Sequence, residues 1–143
     1  MLQRAQTFWT LLATACAVLT LKFQFYSGNK LGVPPTSPKT FEHLTATSNI
    51  IILILTVTII VAGLVNTFNY KNRPFQLRIT MALILISVLN IILYYFQSRK
   101  FLPGEGSFAL TSLLTLAIPV FFIFASRGIY KDEKLVKSAD RLR

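Results

Sequence analysis

The sequence has little of what redox proteins and soluble enzymes require. It contains one cysteine, Cys16, which excludes a disulfide framework, a cysteine-based zinc site, an iron–sulfur cluster and a dithiol oxidoreductase. Charged residues make up only 14% of the 143 residues, whereas about a quarter is usual in soluble domains. Hydrophobic residues make up 53%, which is too much for an intrinsically disordered chain. These shortages indicate a membrane protein.

Charge is also missing from long stretches of the chain. Uncharged runs cover residues 5–21, 44–70, 79–98 and 106–126. A helix that spans a membrane needs roughly 20 apolar residues, and strands would not give continuous runs of this length. We therefore predict transmembrane helices at about 5–26, 48–70, 77–97 and 107–128, the first of which includes a snorkelling Lys22.

The connections between these runs suggest the fold. The two later connections are short, and short connections make consecutive helices antiparallel neighbours. We predict an all-α membrane protein in a single domain, residues 1–143, with an up-down-up-down four-helix transmembrane bundle. Residues 27–47 are predicted to be an extended extracytoplasmic loop, and residues 129–143 a short C-terminal cytoplasmic amphipathic helix.

The distribution of basic residues predicts the orientation. Ten lysines and arginines lie on the side that carries both termini, and five lie on the other side. The excess places both termini in the cytoplasm. Aromatic residues near the predicted helix ends agree with an interfacial belt at both surfaces; they are Trp9, Tyr26, Tyr70, Tyr94, Tyr95 and Tyr130.

The predicted spans contain no aspartate, glutamate or histidine. Proton-coupled exporters, b-type cytochromes and intramembrane enzymes need such groups. We therefore predict no catalytic residue, no cofactor and no metal. The pair Glu42–His43 is more simply an interfacial pair than half of a metal site. A lipid-modifying enzyme would need Asp132, Glu133 and Asp140 to converge on a metal, and ion pairing with the intervening lysines and arginines is the simpler interpretation.

Uncharged polar residues do occur in the spans, and two readings of them are open. They could line a pore, but such groups more often form hydrogen bonds between helices or to their own backbone. Asn66 and Asn90 stand out, because an amide in lipid needs a partner. Ala13 and Ala17 are four residues apart on the first helix and favour a close helix contact.

The C-terminal tail allows three interpretations. Leu135, Val136, Ala139 and Leu142 recur at helical spacing among basic residues. The tail could lie on the anionic inner leaflet, dock onto a cytoplasmic protein or RNA surface, or act as a plain topology anchor. Sequence-specific nucleic-acid binding is not indicated, since no base-reading module is present.

Three segments of the chain resemble a known family. They are residues 1–7 (MLQRAQT), residues 70–78 (YKNRPFQLR) and residues 131–143 (KDEKLVKSADRLR). The chain resembles bacterial domain-of-unknown-function family 4293 over its whole length, and most specifically in its last thirteen residues. The resemblance implies a small four-helix protein of the bacterial inner membrane with no established activity. It also implies that the specific sequence lies in the cytoplasmic motifs.

Together these observations favour a non-enzymatic accessory or assembly subunit of a larger bacterial inner-membrane complex. It would dock through its transmembrane helices and a basic cytoplasmic face, with membrane lipid and other inner-membrane proteins as partners. The alternative is a homo-oligomeric channel or carrier for a small neutral solute. The residues predicted to form the partner- and lipid-binding face are Lys71, Arg73, Arg78, Lys131, Lys134, Leu135, Lys137, Arg141, Leu142 and Arg143.

Overall fold

The chain is mostly helical. The computed structural model describes residues 2–30, 39–69 and 72–141, without the side chains of residues 2–4, 137 and 139–141. Within these ranges it forms four α-helices: α1 (Leu2–Thr20), α2 (Ile50–Phe68), α3 (Arg73–Ser98) and α4 (Ser112–Arg141). Helices α2, α3 and α4 are long and apolar enough to cross a membrane, and α1 contains a shorter apolar stretch, Ala5–Thr20.

Local sequence signals determine where two of the helices begin. The side chain of Asn49 caps α2 by accepting a hydrogen bond from the backbone nitrogen of Ile51 at 2.9 Å. Helix α3 begins at Arg73, earlier than the predicted start at 77, because Pro74 lies in its first turn. At that position the missing N–H has no intrahelical partner to lose.

The helices pack against one another around an apolar core. Helices α1 and α3 each contact both α2 and α4. Gly63 allows α1 and α2 to approach closely, because a Cβ atom at this position would lie 2.5 Å from Thr14 Oγ1. The buried core residues are Ala13, Cys16, Ala17, Ile59, Leu83, Ile118 and Phe122. The small side chains of Ala13 and Ala17 thus lie at the centre of the helix contacts.

The outward faces of the spanning helices are strongly apolar. Ile54 on α2, Leu85 on α3 and Leu113 on α4 are all more than half exposed. In water such a continuous apolar surface would drive aggregation. In a bilayer it matches the hydrocarbon around it.

A small β-sheet joins the helices at the end where α1 finishes and α4 starts. Strands β1 (Tyr26–Lys30), β2 (Thr40–Leu44) and β3 (Gly106–Phe108) form an antiparallel sheet in the order β2-β1-β3. Strands therefore occupy the two described parts of the extended loop predicted for 27–47, whose residues 31–38 lie outside the described residues, and α4 starts later than the predicted 107. Each strand is too short to give an alternating pattern that sequence reasoning would detect.

Hydrogen bonds attach this sheet to the end of α1. The Phe25 nitrogen donates to the Leu44 oxygen at 2.7 Å, and the Ala109 nitrogen donates to the Phe25 oxygen at 3.0 Å. The Thr111 hydroxyl donates to the carbonyl oxygen of Gln24. Because residues 24 and 25 are engaged in these bonds, α1 ends at Thr20 instead of reaching Tyr26.

A second apolar cluster lies beneath the sheet. It comprises Phe25, Leu44, Ala46, Ile52, Tyr94 and Phe101. Tyr94 is only 1% exposed, and its ring stacks on Phe25 with a centroid distance of 4.6 Å. Tyr94 is therefore a core residue and does not belong to the interfacial belt predicted from its position near a helix end.

Two ion pairs connect residues of the sheet or next to it. Lys30 Nζ lies 2.6 Å from Glu42 Oε2, and Lys39 pairs with Glu105. Hydrogen bonds from Lys39 and Asn29 lower the pKa of the Glu105 carboxyl below its ordinary value. This carboxylate therefore stays ionised to a lower pH than an isolated glutamate.

Helix α4 is continuous from Ser112 to Arg141 and runs through Pro119 without ending. The tail is therefore an extension of α4 and not the separate short amphipathic helix that the sequence predicted. No glycine or proline follows Gly128 in the chain, so nothing in the local sequence breaks the helix there.

Candidate functional site at the basic end of the helices

A buried aspartate connects three helices, through its carboxylate and its backbone oxygen, at the end opposite the sheet, which we call the basic end. Asp132 of α4 is only 5% exposed. Its carboxylate accepts a hydrogen bond from the side-chain amide of Gln6 on α1. Arg73, at the start of α3, donates from Nη1 to the backbone oxygen of Asp132 at 3.2 Å. These contacts bring the starts of α1 and α3 to the same place on α4.

The absence of a side chain at Gly128 makes this arrangement possible. Gly128 lies one helical turn before Asp132, and a Cβ atom there would lie 2.8 Å from Gln6 Cγ. The Gln6 side chain therefore crosses α4 at Gly128 to reach the Asp132 carboxylate. Carboxylates are costly to bury unless a donor satisfies them, so the Gln6 amide stabilises this arrangement. We call the contacts of Gln6, Arg73 and Asp132 the brace.

The predicted basic face is only partly a free surface. Arg78, Lys131, Lys134 and Leu135 are exposed, whereas Arg73 is half-buried and engaged in the brace. Lys137 and Arg141 are placed on α4 by their backbone. Lys71, Leu142 and Arg143 lie outside the described residues.

Beyond the brace, α4 continues as a helical arm, residues 134–141. Leu135 is 56% exposed and Val136 is 43% exposed. These two members of the predicted apolar stripe therefore do not pack on the rest of the described chain, whereas the Ala139 side chain and Leu142 lie outside the described part. The arm carries both basic and apolar residues on a helix whose base is held by Asp132.

The structure describes the side chains of Asp132 and Glu133 in the tail, whereas the side chain of Asp140 lies outside the described part. Asp132 points towards α1, where Gln6 satisfies it. In the part of the chain that the structure describes, no three histidine, cysteine, aspartate or glutamate side chains are grouped to hold a metal. Glu42 and His43 are neighbours in strand β2, so their side chains lie on opposite faces of the sheet.

One polar network links α2 and α3 inside the helix group. Asn66 Nδ2 donates to Thr80 Oγ1 at 2.9 Å, and Thr80 donates to the backbone oxygen of Gln76 at 2.8 Å. Gln76 Nε2 returns a hydrogen bond to the backbone oxygen of Asn66 at 3.2 Å. All three side chains are buried. The amide nitrogen of Asn66 thus has the partner that an apolar environment demands.

A second network lies nearer the sheet. Asn90 Nδ2 donates to Thr56 Oγ1 at 3.1 Å, and Thr56 donates to the backbone oxygen of Ile52 at 2.8 Å. The Tyr94 hydroxyl interacts with the side chains of Thr56 and Thr20. These hydroxyls therefore take part in contacts between helices.

Both asparagines retain an unused acceptor. Asn66 Oδ1 and Asn90 Oδ1 are buried without a hydrogen-bond partner among the described residues. The amide nitrogens thus account for the hydrogen bonds between helices, and the amide oxygens add desolvation cost.

The match to a known family covers nearly the whole chain. The family described as "Domain of unknown function (DUF4293)" matches residues 2–142. The chain belongs to this family. None of the curated proteins and none of the solved structures matches the chain.

Sequence reasoning on this DUF4293 protein included Arg73 in the basic face but missed Gln6 of the brace and Gln76 of the network around Asn66. Both glutamines are uncharged, so a search for ionisable residues in the spans does not find them. The detectable signal was the amide itself, which is as costly to bury as those of Asn66 and Asn90. Asp132 was considered only as a metal ligand or an ion-pair partner, because its burial depends on the continuation of α4.

The brace predicts strongly coupled substitutions at Gln6 and Asp132. Gln6→Leu should lower the free energy of unfolding by about 1–3 kcal/mol, because it leaves a buried carboxylate without its donor. Gln6→Leu combined with Asp132→Leu should restore most of this loss, because neither polar partner remains. Unfolding in mixed detergent micelles, followed by circular dichroism, measures both values.

Lys134→Leu is the matched control for this pair, because Lys134 is exposed on the same helix. It should change the free energy of unfolding by no more than about 0.5 kcal/mol. If the effects of the two single substitutions at Gln6 and Asp132 simply add in the double variant, the brace contributes no coupling.

The second polar network predicts an asymmetry between its two partners. Thr56→Ala leaves Asn90 Nδ2 without an acceptor and should cost about 1 kcal/mol or more. Asn90→Leu removes an amide whose oxygen has no partner, and Thr56 keeps its bond to Ile52. It should therefore cost less than Thr56→Ala in the same unfolding assay. The opposite order would mean that Asn90 Oδ1 has a partner such as a buried water.

Proposed function

We propose that this DUF4293 protein is a non-enzymatic accessory or assembly subunit of a larger bacterial inner-membrane complex. The observation that carries the proposal is the continuity of α4, which extends past the brace as the exposed arm. A subunit of this kind needs a stable membrane anchor and a surface that is left open for a partner. The helix group supplies the first and the arm supplies the second.

The direction of the arm favours a protein partner over the membrane surface. A helix that lies on a leaflet must run along the membrane plane, whereas α4 crosses the membrane and continues without a break. Residues 134–141 therefore project along the axis of α4 for about 12 Å at 1.5 Å per residue. Lying flat would require the helix to bend beside Asp132, where Gln6 and Arg73 hold it.

The charge of the arm indicates the chemistry of its partner. Six basic and three acidic side chains follow Phe124 in the sequence. Asp132, one of the three acids, is buried in the brace, which leaves the exposed surface more basic than the sequence suggests. Lys131 and Lys134 are one turn apart and both are exposed. An acidic protein surface is the complementary partner.

The proposal includes an arrangement in the membrane. We take the four helices as an up-down-up-down bundle with both termini in the cytoplasm. The contacts of Gln6, Arg73 and Asp132 support it, because they bring the starts of α1 and α3 to the C-terminal part of α4. The excess of basic residues on that side supports a cytoplasmic location for the basic end.

The polar interior supports an anchoring role. Hydroxyl groups of Thr10, Thr14, Thr56 and Thr80 donate to carbonyl oxygens of their own helices. Groups that are engaged in this way cannot at the same time donate to a solute. The alternative of a homo-oligomeric channel for a neutral solute therefore takes second place.

Accessibility of single cysteines tests the orientation. In a Cys16→Ala background, Thr40→Cys should react with a membrane-impermeant maleimide added outside the inner membrane, and Ser138→Cys should react only after the membrane is opened. Both positions are exposed, so accessibility reports the side of the membrane. The reverse labelling pattern would invert the proposed topology.

Charge reversal at Lys134 on the arm and at Lys131 just before it tests the docking function. Lys131→Glu with Lys134→Glu should reduce the amount of a stoichiometric partner that co-purifies in mild detergent by about tenfold or more, because like charges would then face each other. Co-purified proteins are quantified by mass spectrometry against the parent chain. Thermal unfolding of the isolated variant shows whether the fold is retained.

Arg99→Glu with Lys100→Glu is the matched control, because it reverses two exposed charges at the sheet end. This variant should retain the partner. Labelling of Ser138→Cys in each charge variant shows that the topology has not changed. Equal retention of the partner by both charge variants would exclude the arm as the docking surface.

A further inference from the structure

We infer that a cavity at the sheet end binds the phosphate headgroup of an anionic phospholipid. The cavity has a volume of about 490 Å³ and lies between the sheet, the chain that follows α1 and the chain that precedes α4. It is remote from the brace and the arm, and the proposed accessory function does not use it. The inference depends on the membrane placement of the helices and not on a partner protein.

One face of the sheet forms the floor of the cavity. Ser27 in the central strand β1 is paired with His43 on one side and with Ser107 on the other. Directly paired residues on antiparallel strands project from the same face, with Cβ atoms about 5 Å apart. Two hydroxyl groups and an imidazole therefore line the same side of the cavity and can donate hydrogen bonds to an anion bound over the central strand.

The His43 ring has a defined neighbour in this arrangement. Phe41 lies two residues earlier on the same face of β2, and the two rings meet edge to face with a centroid distance of 5.1 Å. Phe41 is itself 62% exposed, as expected of an aromatic residue at a membrane interface. The imidazole therefore has an aromatic neighbour on its own strand, and Ser27 is its paired residue on β1.

The electrostatics of the cavity favour an anion. Lys22 lines it, and none of its described lining residues is acidic. The nearest carboxylates on the sheet are occupied elsewhere, because Glu42 pairs with Lys30 and Glu105 with Lys39. Glu42 is also paired with Gly28 in the strand register, which directs it to the opposite face from Ser27. Lys22 has no acidic partner among the residues described.

An apolar rim next to these donors points to a lipid as the source of the phosphate. Leu110 is 85% exposed and Phe23 is 48% exposed, and both line the cavity. Helix α1 ends at Thr20 and α4 begins at Ser112, so the cavity lies at the depth where the apolar helix surfaces give way to the polar sheet. A headgroup bound by Lys22 and the sheet would place its acyl chains against Leu110 and the outer faces of the helices.

Native mass spectrometry of the full chain tests this inference. The protein is extracted into a neutral detergent and titrated with phosphatidylglycerol, with phosphatidylcholine in parallel. One phosphatidylglycerol should be retained in preference to phosphatidylcholine. Lys22→Gln should weaken this retention roughly five- to tenfold, the effect of removing one lysine from an anionic headgroup. Lys22 is exposed, so the substitution should leave the fold intact.

Two further variants separate a defined site from general attraction. Lys100→Gln removes an exposed charge at the same end of the molecule but outside the cavity, and it should retain the lipid. Leu110→Ser should weaken retention of phosphatidylglycerol while leaving binding of soluble glycerol phosphate unchanged. Equal losses in Lys22→Gln and Lys100→Gln, or no loss in Lys22→Gln, would overturn the inference.

The mass of the bound species distinguishes the possible sources of phosphate. Inorganic phosphate and phosphatidylglycerol differ greatly in mass, so each adduct is recognised directly. An adduct of inorganic phosphate that excludes phosphatidylglycerol would show a site for a free anion and would contradict the lipid assignment.

Discussion

Polar groups that leave water must find hydrogen-bond partners inside the protein, and this constraint organises the helices. In the apolar surroundings of a membrane, burying an unpaired amide or carboxylate costs several times what a hydrogen bond returns. Asn66 Nδ2 donates to Thr80, Asn90 Nδ2 donates to Thr56, and the Asp132 carboxylate accepts from Gln6. Each bond joins two different helices. The polar interior therefore specifies which helix faces which, while the apolar core residues provide the packing between them.

The two ends of the molecule differ in chemistry. At the basic end, charge is carried by helix surfaces, and the carboxylate and the backbone oxygen of the buried Asp132 together connect three helices. At the sheet end, the backbone is paired in short strands, and surface charges such as Lys30 and Glu42 neutralise each other. A helix end can present a flexible array of basic side chains to a protein surface. A sheet face presents hydroxyl groups at fixed spacing and suits a small, defined anion.

The sequence was most informative where one residue type was absent over a long stretch. The uncharged runs predicted the regions of α2 and α3 because nothing in the tertiary structure competes with helix formation there. The sheet was not predictable, since Tyr26–Lys30 and Thr40–Leu44 are short and are held by partners distant in sequence. Tyr94 was assigned to the interface from its position near a helix end, but Phe25 encloses it because the sheet folds back over the helices. The burial of Asp132 likewise depends on Gln6, a residue at the other end of the chain.

Helix α4 is continuous from the sheet end to the basic end of the molecule. Its 30 residues extend about 45 Å along the helix at 1.5 Å per residue, which is longer than the hydrocarbon core of about 30 Å. Helix α4 begins beside Thr111, which lines the sheet cavity, and ends in the basic arm. One helix therefore carries both of the proposed contact surfaces, with Pro119 between them. If both proposals hold, a lipid on one side of the membrane and a protein on the other would contact the same helix.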